Sequence, residues 1–369
     1  MLTSTSRIVA AAVIVMLVAA NVSAQQPPVV VNGRVTTSPA GTPFPQSFRN
    51  LIASATETTW VGYAVPVVDR ARFMCCDGSV RGMGGDDGLA PGGCRLESSQ
   101  GQTPAQPGAP QGAAPRTVQL EGSDRVAILF RVVGRAIERI RVVSADCVLD
   151  AGGRPLMWVE GVRPADSVGL LESLAVTPDG GTRVTDGAIR AIALHGDDSA
   201  DAALDRLVNI DRPETVRKKV TFWLGNARGR RGFDRLLRIM RDDPSVEVRK
   251  SAIFGLSQSP MQEVTDTLAS IARSDSEPRL RSEALFWLAQ AAGRKAAETI
   301  TERIEQDPDT EVKKKAVFAL SQLPRDEGVP LLITVARTNT NPAVRKQAMF
   351  WLGQSKDPRA IDFFTALLK

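Results

Sequence analysis

The chain has 369 residues, too many for one ordinary core, and length alone sets an expectation of two or three units. Its 46 basic and 41 acidic side chains are interspersed, so the formal charge of +5 reads as solubility rather than as a polyanion-binding surface, and no nucleic-acid partner is expected. Even the richest basic stretch, from Arg228 to Arg241, carries Asp234 within it and Asp242 and Asp243 beside it, the pattern of a solvated helix face.

Residues 1–24 read as an export signal. Arg7 supplies the positive end, Ile8 to Ala20 is an uncharged apolar run, and Val22-Ser23-Ala24 offers small residues for cleavage before Gln25. The run of 13 residues is shorter than the roughly 18 to 20 that a membrane-crossing helix needs. The expected location is the periplasm or the exterior, with no transmembrane segment in the mature chain.

Residues 25–56, rich in Pro, Thr, Ser and Gly, are expected to form an extended leader. A small β-rich domain is expected over 57–175. Its strand-like runs are Thr58 to Val68, Thr117 to Leu120, Val126 to Val133, Ile137 to Val143 and Leu156 to Val162, around a mobile loop at 77–116. A short helix, Asp166 to Ala175, leads out of it. All four cysteines, Cys75, Cys76, Cys94 and Cys147, precede residue 184. An even count at an oxidising destination predicts two disulfides joining the adjacent pair to Cys94 and Cys147, in either order, because bonding Cys75 to Cys76 would strain the linkage. A four-thiolate metal site lacks the paired C-x-x-C knuckles it would need.

From 184 to 369 the sequence turns helical and repeats. Val216, Val248, Leu280, Val312 and Val344 are 32 residues apart, and Phe222, Phe254, Phe286, Phe318 and Phe350 keep the same step. So do Leu224 to Leu352, Asn226 with Gln258, Gln290, Gln322 and Gln354, and Leu236, Leu268, Ile300, Leu332 and Phe364. Each unit reads as two short helices. Asp243-Pro244, Asp307-Pro308 and Asn341-Pro342 supply caps, and Gly225, Gly293 and Gly353 mark the break between the two helices. Ala188 to Ile210 reads as a degenerate first unit. No single 32-residue unit can bury a core alone, so neighbours must stack into an α-solenoid. The fold class is mainly α: a C-terminal α/α superhelix of five repeats plus the degenerate unit, preceded by the β-rich domain.

The pattern Asp-x-Pro-x-x-Val-Arg followed by Leu-Gly, present as Asp211, Val216-Arg217 and Leu224-Gly225, resembles the short HEAT-like repeat of phycobilisome lyases. That resemblance implies a ladder between units formed by an Asp and the Arg six residues later: Asp211/Arg217, Asp243/Arg249 and Asp275/Arg281. Lys313 and Asn339 depart from it, with Arg345 retained in the last unit. It also implies that most relatives are binding scaffolds, while a few are bilin lyases or deoxyhypusine hydroxylases. The hydroxylases hold di-iron with several His-Glu pairs, whereas this chain has one histidine, His195.

No G-x-S-x-G, G-x-x-x-x-G-K or H-E-x-x-H motif occurs, the Gly82 to Gly88 run misses the dinucleotide pattern, and Asp86/Asp87 and Asp197/Asp198 carry no catalytic spacing. No cofactor, metal or catalytic residue is expected. With about 100° per residue, Val216, Val220, Trp223 and Leu224 form the core arc and the opposite side carries the candidate partner-binding face. That face comprises Lys218, Lys219, Phe222, Asn226, Lys250, Phe254, Gln258, Phe286, Gln290, Lys314, Lys315, Phe318, Gln322, Lys346, Phe350 and Gln354. A Phe there on every unit either wedges between first helices or faces a ligand. Trp223, Trp287 and Trp351, alternating with Gly255 and Ala319, read as internal packing. The expected function is a non-catalytic scaffold in the cell envelope that binds a protein or peptide. The alternative is a lyase- or hydroxylase-type enzyme, or an enzyme accessory, with its chemistry in the Cys-containing domain.

Overall fold

The computed structural model describes residues 27–68, 75, 93–97, 123–177 and 181–369. The stretch expected as an export signal, Cys76, the Gly82 to Gly88 run, the strand expected at Thr117 to Leu120, and the expected loop at 77–116 apart from 93–97 lie outside these residues.

The described chain opens with Val30–Val31 (β1), Val35–Pro39 (β2) and the helix Phe44–Ala53 (α1). This corrects the expectation of an extended leader. Phe44, Phe48 and Ile52 recur at helical spacing and are all buried, with the Phe48 ring 4.8 Å from that of Phe130. Pro45 sits in the first turn, where its missing N–H costs nothing.

Then follow Thr59–Pro66 (β3), Gly93–Arg95 (β4), Arg125–Val133 (β5), Ala136–Ser144 (β6), Val148–Asp150 (β7) and Leu156–Glu160 (β8). Five strands form one sheet in the order β2-β8-β3-β5-β6, and β1-β7-β4 form a small parallel one. β4 falls inside the stretch expected as loop. Pairing of β3 with β5 is antiparallel, Tyr63 opposite Ile128, and of β3 with β8 parallel. Alternate residues divide cleanly: Val61, Tyr63, Val65, Ile128 and Phe130 enter one core, while Trp60, Ala64, Leu129 and Trp158 enter the other with Cys94, Cys147 and Leu149. At Gly62 a Cβ would lie 2.6 Å from the Leu129 side chain and 3.2 Å from the Trp158 ring, so glycine leaves the room these side chains occupy.

Pro164–Ala175 (α2), Gly181–Leu194 (α3) and Ser199–Leu207 (α4) join sheet to repeats. α3 lies on β6 so closely that a Cβ at Gly187 would come within 2.5 Å of the Ile140 carbonyl. The sheet face bearing Phe130 and Val142 and the repeat interior from Ala188 to Phe363 form one continuous core, so the β-rich part seals one end of the stack rather than hanging beside it.

The five repeats are Glu214–Ala227 (α5) with Gly229–Asp242 (α6), Val246–Ser257 (α7) with Val264–Ser274 (α8), Pro278–Ala292 (α9) with Ala297–Gln306 (α10), Thr310–Ser321 (α11) with Arg325–Thr338 (α12), and Pro342–Gln354 (α13) with Pro358–Leu367 (α14). Two local expectations are corrected. Gly225 does not end its helix; a Cβ there would sit 1.8 Å from the Gly255 carbonyl oxygen, so it serves the close approach of α5 and α7. Gly353 likewise lies inside α13. Asn341 caps α13, but Asp243 and Asp307 sit two residues before the true caps, Ser245 and Asp309, and accept hydrogen bonds from those residues' backbone N–H at 2.8 and 3.0 Å.

Candidate binding face

The first helices carry an aromatic ribbon. Phe222 stacks on Phe254 at 5.6 Å, and Phe254 reaches Trp287 at 4.7 Å. Trp287 touches Phe286 at 4.8 Å, and Phe286 stacks on Phe318 at 5.9 Å with planes 5° apart. Phe318 reaches Trp351 at 4.9 Å, and Phe350 closes the series 5.0 Å from it. At the other end Trp223 meets Phe222 at 5.0 Å, under the Arg190 guanidinium.

Of the two roles left open for the phenylalanines, packing between first helices is the one these ring contacts show. Phe222, Phe254, Phe286 and Phe318 are half-buried, packed ring on ring between adjacent first helices, and Phe350 is 52% exposed. The tryptophans are not interior: Trp223, Trp287 and Trp351 are half-buried members of the same ribbon. Their alternation with Gly255 and Ala319 has a different cause. Where Trp is absent the small residue is fully packed, Gly255 against the Thr221 carbonyl and Ala319 at 0% exposure. The neighbouring Trp fills the edge above it through the preceding unit's Phe.

Lysines border the aromatics. Lys218 pairs with Glu214 at 3.4 Å, Lys219 with Asp186, Lys250 with Glu283 at 3.8 Å, and Lys314 with Glu311 at 2.9 Å. Lys315 and Lys346 are exposed, as are Gln290 and Gln354. Asn226, Gln258 and Gln322 lie along the same helices near their C-terminal ends, where the amides of Gln258 and Gln322 donate to Ser257 and Ser321. At the centre of the ribbon Phe286 and Phe318 floor a groove of about 670 Å³ rimmed by Lys250, Arg279, Glu283 and Lys315, within the size range of ligand pockets.

The Asp and Arg side chains form rungs across units. Arg217 meets Asp243 at 3.0 Å, Arg249 meets Asp275 at 2.9 Å, and Arg281 holds Asp307 through two bonds of 2.8 Å. Each arginine bonds to the aspartate 26 residues on, in the next unit, while Arg217 and Arg281 also donate to carbonyls of the loop before their own helix. Asp211 is exposed and takes no part beyond a 3.9 Å approach to Arg212. Lys313 instead donates to the Glu305 carbonyl, and Arg345 to the carbonyls of Asn339 and Thr340.

His195 is fully buried where the stack meets the sheet. Its Nε2 lies 3.1 Å from Ser167 Oγ, itself 2.9 Å from Tyr63 Oη. Burial pulls the imidazole pKa down to about 4, despite the opposing pull of nearby Asp197. Arg228 donates to the carbonyls of Ala193 and His195 and pairs with Asp201 at 2.7 Å, closing the junction. Cys75 is disulfide-bonded to Cys147, and Cys94 is buried with Arg141 donating to its sulfur at 3.3 Å. Among the described residues no group of three or more His, Cys, Asp or Glu is placed to hold a metal ion, and no helix is long and apolar enough to cross a membrane.

A HEAT-repeat family profile matches residues 233–321 and 297–369. Residues 233–369 are HEAT repeats. No curated protein matches the sequence. Solved structures with similar helical arrays include human deoxyhypusine hydroxylase in complex with glycerol, 18% identical over 55% of this chain and 90% of that one, with a TM-score of 0.25. Escherichia coli YibA is 25% identical over 50% of this chain and 68% of its own, with a TM-score of 0.34. The CpcE–CpcF complex of phycocyanin lyase from Nostoc sp. PCC7120 is 18% identical over 55% and 80%, with a TM-score of 0.31.

Proposed function

We infer that this HEAT-repeat protein is a non-catalytic scaffold that holds an extended peptide segment of a protein partner along its aromatic ribbon. The observation that supports this is the unbroken series of rings from Trp223 to Phe350, half-buried except the exposed Phe350, opening at Phe286 and Phe318 into a groove of about 670 Å³. Rings that are already stacked on their neighbours lose little freedom on binding, so their exposed faces can bury a partner's apolar side chains at small entropic cost. The lysine border, already partly paired with Glu214, Glu283 and Glu311, fixes orientation more than it adds affinity.

The compartment proposed is the cell envelope. The pattern of Arg7, Ile8 to Ala20 and Val22-Ser23-Ala24 supports export, and a disulfide between Cys75 and Cys147 suits an oxidising destination. Intact mass of protein recovered from the native envelope tests this: a chain beginning at Gln25 is expected, and retention of residues 1–24 would reject it.

Site-specific photo-crosslinking tests the binding reading. A benzophenone side chain at position 286 or 318 in the native host is expected to give one dominant adduct, mapping to a single segment of another protein. The same probe at Thr301, on the second-helix side, should not. Adducts from position 301 with none from 286 and 318 would place the binding surface elsewhere.

A further inference from the structure

Where the sheet meets the first repeats there is a second cleft, of about 590 Å³, whose walls come from four elements. β4 contributes Arg95, β6 contributes Arg139 and Arg141, α3 contributes Arg183 and Arg190, and α5 contributes Lys219. Among the described lining residues these six cations face one carboxylate, Asp186, which pairs with Lys219. Glu138 approaches Arg183 from outside at 3.9 Å but is itself held by Arg131.

Proteins do not gather like charges without a return, since each raises the cost of the next. Here the cluster is built in rather than scattered on solvated side chains. Arg141 is 8% exposed and fixed by the Leu96 and Arg95 carbonyls and Cys94. Arg139 is held by the Leu96 carbonyl and packs over the Trp60 ring at 5.4 Å, while its Nε is buried without a hydrogen-bond partner. Burial, followed by the repulsion of Arg141, holds the Arg139 pKa below its ordinary value, the sign of a guanidinium that an added anion would stabilise.

We propose that this cleft is a binding site for a small, multiply charged oxyanion, either a phosphoryl compound or a polycarboxylate. Planar guanidinium forks from two directions match the oxygens of such a group, and the volume suits a small metabolite rather than a polymer. The site is separate from the groove at Phe286 and Phe318, although Trp223 lies at its mouth and begins the ribbon. An occupied cleft would thereby be felt at the first ring of the series.

Calorimetric titration of the full mature chain at low ionic strength, with pyrophosphate and separately with citrate, tests the proposal. One of the two is expected to bind with 1:1 stoichiometry, and which one does so identifies the source of the oxyanion. Arg183→Glu with Lys219→Glu should weaken that binding about tenfold or more. Lys315→Glu with Lys346→Glu, the same change of net charge at the far end of the ribbon, should leave it unchanged. Equal weakening by both pairs would show diffuse attraction to a basic protein and overturn the site. So would no saturable binding of either anion up to millimolar concentration. Loss of Phe286 and Phe318 should not alter the titration, so this site and the peptide groove fail or stand independently.

Discussion

The Arg281–Asp307 rung shows what holds successive repeats together, and removing half of it is a sharp perturbation. The Asp307 side chain is fully buried and Arg281 nearly so, and the two are joined by paired bonds of 2.8 Å. Arg281→Met leaves the carboxylate with one remaining hydrogen bond, from the Asp309 N–H, and also leaves the Asp275 carbonyl without its donor. A buried pair broken on one side costs about 3 to 5 kcal/mol; because the Asp309 N–H still serves the carboxylate, the lower figure, about 3 kcal/mol, is expected. Replacing both partners, as Arg281→Met with Asp307→Asn, should recover part of that loss because no charge is then stranded. Lys313→Ala, one unit on, removes a single exposed bond to the Glu305 carbonyl and should cost less than about 0.5 kcal/mol. Urea unfolding followed by circular dichroism gives the energies, and hydrogen exchange shows whether protection is lost first in α9 to α11, as nearest-neighbour coupling requires. Equal effects of Arg281→Met and Lys313→Ala would refute the view that the rungs bind the units together.

Three further outcomes follow from the junction and the sheet. Burial lowers the His195 pKa to about 4 from an ordinary 6.5, so stability is full above pH 6.5 and falls as the pH drops towards 4. The loss amounts to about 3 kcal/mol and should be largely absent in His195→Gln, which a pH series of urea melts would show. Gly187→Val places a side chain on the Ile140 carbonyl and should cost at least about 2 kcal/mol by forcing α3 from β6; a variant as stable as the parent would contradict their close packing. Reducing the Cys75–Cys147 bond, which spans a sequence separation of 72, should lower stability by about 4 kcal/mol on the chain-entropy estimate, and an unchanged melting curve would contradict that.

The repeats were legible because five units keep one register and each places the same apolar residues against its neighbours. The N-terminal part was legible only where strands are long. β3, β5, β6 and β8 show as apolar runs, but β1, β4 and β7 have two or three residues and gain their order from pairing with distant segments. α1 hid among prolines because its signal is three residues, Phe44, Phe48 and Ile52, whose burial depends on a sheet far along the chain. The ribbon was half legible. Projection on a helix wheel separated Phe from Trp onto opposite arcs, yet both are large enough to reach the boundary between units, where the Phe of one repeat meets the Trp of the next. The basic cleft could not be read at all, since Arg95, Arg139, Arg183 and Lys219 share no motif and meet only through the docking of α3 on β6.

The central claim is that the ribbon is a recognition surface as well as a packing element, and the pair Phe286→Ala with Phe318→Ala separates these roles. Each ring is half-buried, so truncation should cost about 1.5 to 2.5 kcal/mol, roughly half the value for a fully buried Phe, and the double variant should fold with a lowered melting temperature. Affinity for the segment crosslinked at positions 286 and 318 is the decisive measurement. A loss of about one to two decades, from about 0.75 to 1.5 kcal/mol of further apolar burial per half-buried ring, is expected under conditions where the variant remains folded. Unchanged affinity in the folded double variant would make the ribbon packing alone and contradict the claim.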